Sequence, residues 1–85
     1  MNTLQQMPLH DGHGVALPDG VVSRGVFDHM GTHVAHIEYP ISYANMRPYV
    51  IAARIAGPIE PTALYLGAVA EVYGSHVVHY YAVPA

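Results

Sequence analysis

The chain contains no lysine, no cysteine and no tryptophan, and its only strong cations are Arg24, Arg47 and Arg54. Without cysteine, disulfides, thiolate metal sites and cysteine nucleophiles are excluded. Three arginines against six acidic residues give a net charge of −3 and no basic stripe, so nucleic-acid binding is not expected. Six carboxylates are equally too few to imitate a phosphate ladder. Charged residues of both signs make up 11% of the chain, against roughly 25% in an average soluble domain. Long apolar runs are missing as well. The uncharged stretch over residues 61–70 is too short for the roughly 20 residues a membrane helix needs. No basic residue precedes Arg24, so the N-terminal region does not read as a secretory leader. The expected location is the cytoplasm, or a virion for a phage-encoded chain, with no membrane partner.

The scarcity of charge creates a problem of surface. Eighty-five residues make one domain. A domain this small leaves about a third or more of its unfolded surface in contact with water. Hydrophobic residues are 52% of the chain, so seven tyrosines and seven histidines must supply much of the polar exterior. Both are amphipathic, and tyrosine favours interfaces. Large exposed apolar patches are rare on monomers and mark contact surfaces. The expected partner is therefore a second copy of the chain, as a homo-oligomer, or another protein. Histidine titrates near pH 6.5 when unperturbed. Protonation of all seven would reverse the sign of the net charge, so solubility or assembly is expected to respond to mild acid.

Along the chain, residues 1–20 read as an arm or loop. Pro8, Asp11, Gly12, Gly14, Pro18, Asp19 and Gly20 interrupt any regular period. Residues 21–85 read as the globular domain. Val21 to Tyr39 is rich in Val, Ile, Phe and Tyr and reads as a β-hairpin turning at Asp28-His29-Met30-Gly31. A three-residue loop pairs Asp28 with Thr32, Val26 with Val34 and Arg24 with His36, and makes Phe27, Ile37 and Tyr39 the core face. Residues 49–56 fit a strand, with Tyr49, Ile51, Ala53 and Ile55 on one face. They also fit a helix bounded by Pro48 and Gly57, but the cluster of Tyr, Val and Ile favours strand. Residues 63–73 are open between helix and strand. Ala, Leu and Glu suit a helix stopped at Gly74. As a strand, the segment meets His76 to Val83 across a Gly74-Ser75 turn, pairing Val69 with Tyr80. The expected fold is mainly β, a small antiparallel meander or partly closed barrel of about five strands. The alternative is α+β, a hairpin with one or two helices and a C-terminal strand.

Three His-x-x-His pairs are the unusual feature: His10/His13, His33/His36 and His76/His79. Imidazole binds divalent transition metals, which makes these six residues the candidate metal ligands. Geometry limits them, because residues i and i+3 point to opposite faces of a strand. Only His10-Asp11-Gly12-His13, in the N-terminal loop, would chelate locally. No His-Glu-x-x-His, Gly-x-Ser-x-Gly or phosphate-cradling glycine loop is present. Neither Ser75-His76 nor Asp28-His29 completes a nucleophilic triad, so an enzyme is not expected. Among the tyrosines, Tyr65, Tyr73, Tyr80 and Tyr81 are the candidate interface residues. Together these features point to a non-enzymatic β-rich subunit acting by protein–protein contact, such as a small virion-associated assembly protein. The alternatives are an inhibitor or adaptor module that binds a host protein, and a histidine-based metal-binding protein.

Overall fold

Short segments rich in apolar and β-branched residues, separated by Gly, Pro and Asp turns, build the strands. The computed structural model describes residues 1–43, 45–71, 74 and 76–85. Its strands are β1 (Asn2–Pro8), β2 (Gly14–Pro18), β3 (Val22–His29), β4 (Thr32–Pro40), β5 (Met46–Arg54), β6 (Leu64–Ala70) and β7 (Val77–Pro84). No helix occurs among the described residues. All pairings are antiparallel. The strands form a three-stranded sheet, β1-β4-β3, and a four-stranded sheet, β2-β5-β7-β6. The mainly β class stands, with seven strands in two sheets rather than about five in one meander.

The inner faces of the two sheets share one core. Met7 from β1, Val26 from β3, and Ala35 and Ile37 from β4 meet Leu17, Ile51, Leu66, Val78, Tyr80 and Ala82 from the other sheet. Leu17 and Ile51 are the largest side chains wholly removed from water. The sheets are fastened along one side, where β3 runs against β6. There the Ser23 hydroxyl donates to the Leu66 carbonyl. Gly67, at φ +142°, lets the β6 backbone approach so closely that a Cβ would lie 3.0 Å from the Val26 backbone nitrogen. On the opposite side, β1 and β2 do not pair with each other. Each follows its own sheet: Leu9 N–H donates to the His33 carbonyl at 2.9 Å, and Gly12 N–H to that of Ile51 at 2.8 Å.

Four sequence readings are corrected. Residues 1–20 are not an irregular arm: they supply β1 and β2 and place Met7, Leu9 and Leu17 in the core. Their apolar residues looked scattered because β1 and β2 pair with β4 and β5, some 30 residues downstream, and not with each other. The β3–β4 hairpin turns on two residues, not three. Met30 (φ 52°) and Gly31 (φ 85°) both take positive φ, as a type I′ turn requires, and the Asp28 carboxylate accepts from Gly31 N–H at 3.0 Å. His29 therefore pairs with Thr32, and Val26 with Ala35. A bulge between Ser23 and Val26 then restores the expected register at Ser23–Ile37 and Val22–Glu38. The same bulge turns Val26 inward, 7% exposed, and Phe27 outward, 49% exposed. Phe27 is thus absent from the core face that Ile37 and Tyr39 do share. Finally, residues 64–70 are strand, but Val69 pairs with Val78 and Ala70 with Val77. Val72 and Tyr73, which end the expected segment, and Ser75 of the expected turn lie outside the described residues.

Candidate interaction surface

The outward face of the four-stranded sheet follows from its registers. Alternation sends Tyr49, Ile51 and Ala53 of β5 inward, so Val50, Ala52 and Arg54 face out. Their cross-strand partners on β7 are Val83, Tyr81 and His79. Across β7, Tyr81 meets Tyr65 of β6, His79 meets Ala68, and Val77 meets Ala70. On the other flank, Val50 meets Gly14 of β2, and Pro48 meets Ala16. The rows thus read Gly14–Val50–Val83, Ala52–Tyr81–Tyr65 and Arg54–His79–Ala68.

Arg54 is the one formally charged side chain in these rows, and it stands at the end of β5, where its Nη1 lies 3.9 Å from the Asp11 carboxylate. The same carboxylate accepts from Ala53 N–H at 3.0 Å. The remaining side chains are apolar, glycine, tyrosine or histidine. The centre of the face is aromatic: Tyr65 and Tyr81 have ring centroids 5.2 Å apart, and the Tyr65 hydroxyl lies 2.9 Å from His79 Nδ1. The flank formed by Gly14, Ala16 and Ala52 is small. Tyr65, Val50 and Val77 are exposed. By contrast, the outward face of the three-stranded sheet carries an ionic cluster. Glu38 accepts from Arg24 at 3.0 Å and from Asn2 at 2.8 Å. Those two hydrogen bonds, Arg24 first, hold its carboxyl below the usual carboxylate range.

Of the four candidate interface tyrosines, Tyr65 and Tyr81 lie together on this face. Tyr80 does not: strand alternation turns it into the core, where it is 7% exposed and its hydroxyl lies 2.7 Å from His33 Nδ1. Burial pushes the Tyr80 phenol up, with further contributions from Asp11 and Glu71. Tyr73 lies outside the described residues. The paired histidines separate as alternation dictates. His33 faces Tyr80 inside, while the His36 ring lies tilted against Phe27 outside, with centroids 4.6 Å apart. His79 joins Tyr65, and His76 is exposed just before β7 begins. Only His10 and His13 stay together, with ring centroids 5.3 Å apart in the β1–β2 loop. No three His, Asp or Glu side chains converge among the described residues. The sequence singled out the tyrosines but not Val50, Ala52, Val83 and Ala68, whose common face depends on the pairing of distant strands. No protein family matches this chain, and no curated protein or solved structure is significantly similar to it.

Proposed function

We propose that this chain is a non-enzymatic structural subunit that self-associates through the outward face of its four-stranded sheet. The observation that carries this reading is a four-stranded face on which Arg54, paired at the rim with Asp11, is the one formal charge. Such a face gains little from water, whereas ordinary monomers keep apolar patches small. Its distribution of size suits a second copy. A two-fold axis parallel to the strands, between β5 and β7, lays β7 of one copy over β5 of the other and β6 over β2, so that Tyr81 meets the Ala52 row and Tyr65 the Gly14 end of β2. Stacked sheets of this kind pack with strands about 30° from alignment. Four strands about 4.8 Å apart and about seven residues long present a footprint of roughly 19 by 23 Å. Two such footprints bury on the order of 900 Å² before side-chain relief is counted, close to the roughly 1,000 Å² a specific interface needs. The reading therefore expects a concentration-dependent contact. The size and lack of charge leave room for an assembly role such as that of a virion-associated protein.

Light scattering on a sizing column, repeated over a hundredfold range of concentration, tests the reading. The expected result is a mass above 9.2 kDa that falls on dilution. Val50→Glu, which puts a carboxylate on an exposed position of the face, weakens association at least tenfold. Phe27→Glu, on the outward face of the other sheet, leaves it unchanged. A wild-type monomer at every concentration refutes self-association and turns the face over to a different protein as its partner.

A further inference from the structure

The four-stranded face accounts for one contact, and the free edge of the three-stranded sheet offers another. β1 is that edge, and its backbone is polarised residue by residue. Ile41 N–H donates to the Met1 carbonyl at 3.1 Å, and Leu9 N–H to that of His33 at 2.9 Å. In an antiparallel ladder, hydrogen-bonded pairs alternate with non-bonded ones. The odd-numbered residues of β1 therefore bond to β4. Asn2, Leu4 and Gln6 turn their N–H and C=O groups away from the sheet. Pro8 has no N–H to offer.

Unpaired edges invite other strands, and native edges are blunted by charge, shortness, proline or cover. Of the other three edges, β2 is only five residues long, and β3 and β6 cover each other. β1 has seven residues, Asn-Thr-Leu-Gln-Gln-Met-Pro, with no charge among them. Asn2, Leu4, Gln5 and Gln6 are exposed, and Leu4, an aliphatic side chain on an open edge, is 60% exposed.

We propose that β1 pairs antiparallel with β1 of a second copy, about a two-fold axis through Leu4, joining two three-stranded sheets into one of six strands. This inference rests on the reading that the chain self-associates, but it uses a different surface. The register is fixed by the free groups. Leu4 faces Leu4 of the second copy, and Asn2 faces its Gln6. Each facing pair exchanges two N–H···O bonds, so the contact contains six. Pro8 falls outside the ladder. Leu4 meets its own copy on the outward face, the amide side chains of Asn2 and Gln6 meet each other, and no charges are brought together. With two different two-fold contacts, one through the sheet face and one through β1, a subunit builds assemblies larger than a dimer.

The test uses the full chain, Leu4→Pro, Val50→Glu and the double variant, by sedimentation equilibrium, with amide hydrogen exchange read at Leu4 and Gln6. Proline suits an edge position whose N–H points away from the sheet, so Leu4→Pro keeps the wild-type circular dichroism while losing the central bonds. Wild type is expected to exceed a dimer, each single variant to stop at a dimer, and the double variant to be a monomer. In Val50→Glu, which isolates the edge contact, the Leu4 and Gln6 amides are expected to gain at least tenfold protection as concentration rises. If Val50→Glu is a monomer with unprotected Leu4 and Gln6 amides while wild type still dimerises, edge pairing is overturned and the face contact stands. A wild-type monomer overturns both.

Discussion

Replacing Gly67 with alanine tests the seam that holds the two sheets together. Two effects oppose the substitution. The φ of +142° lies where glycine is essentially the only residue found, and forcing another residue there costs about 1–3 kcal/mol. The new methyl would also lie 3.0 Å from both the backbone nitrogen and Cγ2 of Val26. The nitrogen belongs to a bulged strand and cannot retreat without breaking the β3–β4 register, and overpacking of this kind costs about another 1–3 kcal/mol. The sum is about 2–6 kcal/mol, against about 4–13 kcal/mol of total stability for a domain of this length. At about 4–8 °C per kcal/mol, the melting temperature falls by roughly 10–50 °C. Urea unfolding followed by far-ultraviolet circular dichroism and tyrosine fluorescence measures it. Gly31→Ala is the control: φ is also positive, at +85°, but nothing lies within 4 Å of the added methyl. It should lose about 1–2 kcal/mol, the ordinary penalty of a left-handed residue. If Gly67→Ala loses no more than Gly31→Ala, the close approach of β6 to β3 is wrong.

Two further predictions concern pH. The Tyr80 phenol is raised above 10.0 by burial, then by Asp11 and Glu71, so the folded state favours its protonated form. That contribution is present below pH 10 and is lost as pH rises through the folded value. Urea midpoints from pH 8 to 11 should fall less steeply in Tyr80→Phe than in wild type; equal slopes would remove Tyr80 as the cause. Glu38 is held below 4.5 by Arg24 and Asn2, so its contribution is present above about pH 4.5 and is lost as pH falls through the folded value. Glu38→Gln should flatten the stability profile between about pH 5 and pH 3, and an unchanged acid limb would show that this exposed cluster contributes nothing.

Local signals in the sequence reached as far as neighbouring strands. The β3–β4 hairpin was legible because its turn is marked by Asp28 and Gly31, and the final strand because Val, Tyr and His cluster there. The bulge that exposes Phe27 was signalled only by Gly25, an isolated glycine in β3 whose effect on the register appears once β4 is paired. Gly67 did carry a signal: an isolated glycine within a strand pattern marks a bulge or a close backbone approach, and here it marks both. β1 and β2 were hidden for a different reason. Their hydrogen-bonding partners lie far away in the chain, and five or seven residues offer too little alternation to stand out among Gly and Pro. The candidate surface was half legible. Low charge and abundant tyrosine pointed to a weakly charged aromatic face. Placing Tyr65 and Tyr81 on it and Tyr80 inside required the strand pairing.

The strand order also sets a timetable for folding. β1 waits for β4, β2 for β5, and β5 for β7, so the three-stranded sheet cannot close before residue 40 nor the four-stranded sheet before the final strand exists. Topologies dominated by such distant pairings fold slowly, typically in milliseconds to seconds. During synthesis, at about 5–20 residues per second, β1 leaves the ribosome seconds before its partner does. It spends that interval as an uncharged, unpaired strand beside identical strands on neighbouring nascent chains. Production of this protein should therefore be limited by early association of β1, and slowing initiation should raise the yield of folded protein more than slowing elongation.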